Sequence, residues 1–83
     1  MDIEIIKKLI EPTINDNNYI LDEVLYLKED GNDFLRVVIE KNGIIDVDDC
    51  VIVSKLINPI LDENEELFDS AYILDVCSKK GCE

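Results

Sequence analysis

The sequence predicts an α+β fold, a two-layer sandwich with elements in the order α-β-β-α-β: a small three-stranded sheet carrying two helices on one face. Three observations lead there. Apolar residues recur at spacings of three and four near the N-terminus and again beyond residue 46, giving two helical stripes. Apolar and polar residues alternate over 34–40 and 71–77, giving strands, and the turn signal EDGND separates the first two strand candidates. At 83 residues the chain supports one domain, and its 47% hydrophobic content, mostly Ile, Leu and Val, is enough for a core.

Residues 2–16, DIEIIKKLIEPTIND, place Ile3, Ile6, Leu9, Ile10 and Ile14 on one helical face. Asp2 is positioned to cap this helix. Pro12 has no backbone N–H to donate and is expected to kink or break the helix near its last turn, before NDNN supplies turn chemistry. Residues 19–28, YILDEVLYLK, and 34–40, FLRVVIE, then read as a hairpin. In its second strand Leu35, Val37 and Ile39 alternate with Arg36 and Glu40, whereas alternation in the first strand is poor and leaves its register open.

After the KNG turn, Asp46 is an N-cap, and Asp49 stands three residues on, where the acid of a capping box belongs. Cys50, Val53 and Ile57 fall on one face, with Asp48, Asp49 and Lys55 mostly elsewhere, so a helix is expected over 47–58 with Pro59 ending or kinking it. DENEELFDS, with five acids between Asp62 and Asp69, reads as a solvated loop. AYILDVC reads as a third strand that rejoins the sheet by a right-handed crossover. The pattern does not say whether it pairs with the first strand or the second.

Twenty acids against eight bases give a net charge of -12. That sign repels a phosphate backbone, so no direct binding of free nucleic acid is expected. It attracts a basic protein, chiefly through the on-rate, although charge can also serve solubility alone. The absence of His excludes His-based acid–base catalysis, His metal ligation and Ser-His-Asp or Cys-His arrangements. Paired carboxylates are the remaining route to catalysis, and the acids here lie in loops and helix starts, so no enzyme is expected. MDIEIIKKLIEP fits neither a secretory nor a transit peptide, and no stretch approaches the ~18 apolar residues of a membrane span. A cytoplasmic protein without a membrane partner is expected.

Cys50, Cys77 and Cys82 form no C-x-x-C pair, and a structural zinc site takes four ligands. Cys50 belongs to a buried helical stripe and Cys77 to the strand face opposite Tyr72, Leu74 and Val76, so the thiols are not expected to converge. Cys77 and Cys82 then count as incidental, and neither a metal nor another cofactor is expected. Lys79 and Lys80 are the one feature favouring a reactive thiol nearby. The closing DVCSKKGCE is open to three readings: a thiol site, a disordered tail, or a boundary before a second domain.

Several stretches, taken in order, resemble the N-terminal domain of the bacterial ribosome maturation factor RimP family. They are KLIEP (Lys8 to Pro12), the Tyr19-led strand ending in YLKEDG, FLRVVIEKNG (Phe34 to Gly43), VDDCVIVSK (Val47 to Lys55) and YILDV (Tyr72 to Val76). VDDCVIVSK is the clearest, being similar to the family's Asp-Asp-Cys helix start followed by Val-Ser-Arg or Val-Ser-Lys. Where the family continues into a Ser-Ser-Pro-Gly-Leu linker and a C-terminal barrel, this chain has Cys77, Ser78, Lys79, Lys80 and Gly81, of which Ser78 is the clear match. The resemblance implies a domain over residues 1–76 and a tail or start of a linker over 77–83. It implies transient, non-catalytic assistance in assembling the small (30S) ribosomal subunit, with a small-subunit ribosomal protein and the pre-30S particle as partners. Such a protein is usually basic, in keeping with the charge.

The candidate contact residues are exposed-looking acids beside fixed elements: Asp46, Asp48 and Asp49 at the second helix start, and Glu63, Glu65 and Glu66 after it. Each set has a plain structural explanation, capping and helix-dipole stabilisation for the first and solvation for the second. Arg36 is a further candidate, either pairing with a strand neighbour or meeting RNA. Two rival functions remain: an acidic interaction module for an unrelated basic partner, and a thiol-dependent redox or metal protein.

Overall fold

The computed structural model describes residues 3–68 and 71–79. Its elements follow the expected order: α1 (Ile3–Asp16), β1 (Ile20–Glu29), β2 (Asn32–Glu40), α2 (Val47–Glu63), a 3-10 turn (Glu65–Leu67) and β3 (Ile73–Ser78). The sheet order is β1-β2-β3, with β2 antiparallel to β1 and parallel to β3. The third strand therefore pairs with the second, and α2 lies in the crossover that a parallel pair requires. Ile6, Ile10 and Ile14 of α1 and Val53, Ile57 and Leu61 of α2 share one cluster with Leu21, Val24, Leu35, Val37 and Ile39 of the sheet. Both helices thus cover one sheet face, as the α+β sandwich requires.

The hairpin closes through Asp30 and Gly31, which both have positive φ, 51° and 80°. Two central residues of this kind are what a type I′ turn needs, and its twist matches that of the strands it joins. A bulge falls between Leu21 and Glu23. It explains the poor alternation in β1, because Leu21 and Val24 both reach the core although they are three positions apart.

Two helix boundaries differ from expectation, and both involve proline. α1 runs unbroken through Pro12, and α2 continues past Pro59 to Glu63. A proline inside a helix removes the hydrogen bond to the carbonyl four residues earlier. Here those residues are Lys8 and Lys55, and both they and the prolines are exposed, so water can take the place of the lost donor. Apolar anchoring carries each helix onward, through Ile10 and Ile14 in α1 and through Ile57 and Leu61 in α2. Much of DENEELFDS is consequently structured: Asp62 and Glu63 belong to α2, and Glu65–Leu67 form the 3-10 turn. Asp2 lies outside the described residues.

The stripe on α2 is also shifted by one residue. Its buried row is Asp49, Val53, Ile57 and Leu61, every fourth position, while Cys50 is half-buried beside it. Ile57→Ala should therefore cost about 2–5 kcal/mol, as loss of a fully buried aliphatic side chain does. Cys50→Ala should cost far less, and urea unfolding midpoints of the two variants check the assignment.

Candidate functional site

α2 begins at a network centred on Asp49, which is only 7% exposed. The Tyr19 hydroxyl donates to its Oδ1 at 2.7 Å, and the Asp46 backbone N–H donates to its Oδ2 at 3.0 Å. The Lys41 ammonium lies 2.9 Å from the same Oδ2. In return the Asp49 backbone N–H donates to Asp46 Oδ1 at 3.1 Å, so the expected capping box is present. The donors come from separate places: Tyr19 precedes β1, Lys41 follows β2, and Asp46 caps α2. The Tyr19 hydrogen bond, then the Asp46 N–H and Lys41, hold the Asp49 carboxyl well below the usual carboxylate range despite its burial. The same hydrogen bond, with burial, pushes the Tyr19 hydroxyl up to about 12.

The candidate contact residues separate into distinct places. Asp46 and Asp48 are exposed, whereas Asp49 is buried and turned into the fold. Arg36 faces Asp75 across the β2–β3 register and pairs with it, Nε to Oδ2 at 3.1 Å. Glu63, Glu65 and Glu66 are exposed beyond the other end of the helix. At 1.5 Å of rise per residue, Asp48 and Glu63 stand about 22 Å apart along α2. The acids therefore form two patches, with Arg36 neutralised on the far face of the sheet.

Burial is the main cause raising the Cys50 thiol pKa, which keeps it protonated and unreactive. Cys77 is disulfide-bonded, which corrects its reading as an incidental thiol. Alternation along a strand separates Cys77 from Cys50 and carries no information about a bond made elsewhere. Cys82 and Lys80 lie outside the described residues.

A cleft lies near each end of α2. The first, of 530 Å³, is lined by Ile20, Ile44, Ile45, Glu40, Lys41 and Lys79. The second, of 460 Å³, lies between the end of α2, the 3-10 turn and the start of β3, and is lined by Leu61, Asp62, Glu65, Phe68, Tyr72 and Leu74. The Phe68 and Tyr72 rings stack with centroids 4.2 Å apart and planes inclined by 22°. Burial, then the carboxylates of Asp62 and Glu65, push the Tyr72 hydroxyl pKa up. Sequence reasoning did not single out Asp62, Phe68 or Tyr72. The available signal was the three-residue spacing of Asp62 and Glu65 just ahead of an aromatic, which treating the segment as a loop obscured.

The fold and its surface define a small acidic α+β domain whose candidate contact residues are either locked into the framework or displayed in two patches. The chain belongs to the RimP N-terminal domain family, whose model matches residues 9–79. It is thus a ribosome maturation factor domain.

Two expectations follow for the network. Tyr19→Phe keeps the ring and deletes the donor to Asp49, and should lower stability by about 1–3 kcal/mol near neutral pH. Because the Asp49 pKa is depressed, its contribution is fully present above the unfolded value of ~3.9 and lost as pH falls below it. Because the Tyr19 pKa is raised, its contribution is present below the unfolded value and lost as pH rises from 10 toward about 12. Urea midpoints measured against pH should show both losses reduced in Tyr19→Phe.

Proposed function

We propose that this domain assists maturation of the small (30S) ribosomal subunit by transient, non-catalytic binding to a basic ribosomal protein in the pre-30S particle. The observation that carries the reading is the family match over residues 9–79. The net charge of -12 supports the same kind of partner independently, since an acidic field speeds encounter with a basic protein. In this reading the protein is bacterial and cytoplasmic, and it binds neither free nucleic acid nor membrane. Residues 1–78, through the end of β3 and not only to the expected 76, act as the binding domain, and the residues after them are a tail or the start of a linker to a C-terminal domain.

Asp46, Asp48, Glu63, Glu65 and Glu66 serve as the displayed acids, while Asp49 and Arg36 hold the framework that presents them. The second reading, an acidic module for an unrelated basic partner, draws on the same exposed acids at both ends of α2.

Titration against purified, RNA-free small-subunit ribosomal proteins at two salt concentrations separates the two. Saturable, salt-sensitive binding to one of them is expected. A variant carrying Asp48→Lys, Glu63→Lys, Glu65→Lys and Glu66→Lys should lose at least about tenfold in affinity. Asp49 is left intact in that variant, because replacing it would disturb α2. Binding no tighter than to a generic basic protein would refute the ribosomal reading.

A further inference from the structure

We infer that the cleft at the C-terminal end of α2 receives an arginine side chain of the partner, its guanidinium set against the Phe68–Tyr72 rings and the carboxylates of Asp62 and Glu65. This rests on the reading that the partner is a basic protein. The first support is that Asp62 is not explained by the helix that carries it, while Glu65 opens the adjoining 3-10 turn. Acids at a helix N-terminus favour its dipole, whereas Asp62 and Glu63 sit in the last turn of α2, where they oppose it and no basic residue compensates. Among the described residues, neither Asp62 nor Glu65 has a salt-bridge partner. Uncompensated charge at that end of the helix is available to a cation from outside.

The lining of the cleft selects the kind of cation. Stacked aromatic rings attract a cation through their faces, and Leu61 and Leu74 offer apolar wall to the methylene stem of a long basic side chain. Two carboxylates beside a π-surface suit a guanidinium better than an ammonium. The guanidinium is planar, forks toward two acceptors and sheds its water more readily. The other cleft offers no such charge. Its two cations are matched inside the fold, Lys41 by Asp49 and Lys79 by Asp22 and Glu40.

The test uses the 83-residue chain and three short peptides that differ at one position, arginine, lysine or the uncharged isostere citrulline, followed by amide NMR shifts. The arginine peptide should give saturable shifts at Asp62, Glu65, Phe68 and Tyr72, with the lysine peptide weaker and the citrulline peptide silent. Tyr72→Leu should weaken arginine-peptide binding by about 5- to 30-fold, the range of a partly desolvated cation–π contact, and Glu65→Gln by about 2- to 5-fold, the range of one exposed ion pair. Glu23→Gln, an exposed acid of β1 outside both acidic patches, should leave it unchanged. Glu65 is exposed, so its variant reads the cleft even if Tyr72→Leu perturbs folding. Equal binding of arginine and lysine peptides, or undiminished affinity in Glu65→Gln, would overturn the inference. The two proposals fail separately. A small-subunit protein bound equally well by Glu65→Gln and Tyr72→Leu discards the cleft and keeps the partner. An arginine preference at the cleft, with no small-subunit protein bound, discards the ribosomal partner and keeps the cleft.

Discussion

One carboxylate, that of Asp49, sets how the helical layer meets the sheet. It accepts from Tyr19, from Lys41 and from the N–H of Asp46, and so ties the entry to β1, the exit from β2 and the first turn of α2 to one point. Burying a charge is costly unless it is paired and hydrogen-bonded, and three donors offset that cost here. Below it on the same row Val53, Ile57 and Leu61 continue into the core, so the network fixes the position of α2 and the packing follows from it. β3 pairs with β2 at the end of the crossover that α2 makes.

The same constraint sorts the acids by role. Asp49 is committed to the framework, and Asp46 is partly so through its cap, although it stays exposed. Asp48 stabilises a helix N-terminus and needs no other explanation. At the far end Asp62 and Glu63 oppose the dipole of α2, and Asp62 and Glu65 lack salt-bridge partners among the described residues and flank an aromatic cleft. Physical chemistry thus gives the two patches unequal weight as contact surfaces, although sequence position alone treats them alike. Arg36 is balanced by Asp75 on the sheet face that the helices leave open.

Much of the fold was legible because it rests on local rules. The α1 stripe, the EDGND turn, the capping box at Asp46 and the order of elements all come from residues close together in the chain. What stayed hidden depends on surroundings. The two prolines are tolerated because they face water, a property of the assembled domain and not of the helix sequence. The bulge in β1 follows from its pairing with β2, and the choice of β2 as partner for β3 follows from where α2 is docked. Asp49 looked like a surface acid because its donors, Tyr19 and Lys41, are remote in sequence. Acidic character was legible at the candidate site, but its division into framework and displayed sets was not. Phe68 and Tyr72 stack on each other at the end of a stretch that composition marked only as charged.

Carboxyl-carbon NMR of Asp49, followed from neutral to acid pH in the folded domain, tests the framework role most directly. The expected result is a signal that still reports an ionised carboxylate at pH values below the ordinary aspartate value of ~3.9. Protonation of Asp49 with a midpoint near that ordinary value, while the domain remains folded, would contradict its place at the centre of the structure.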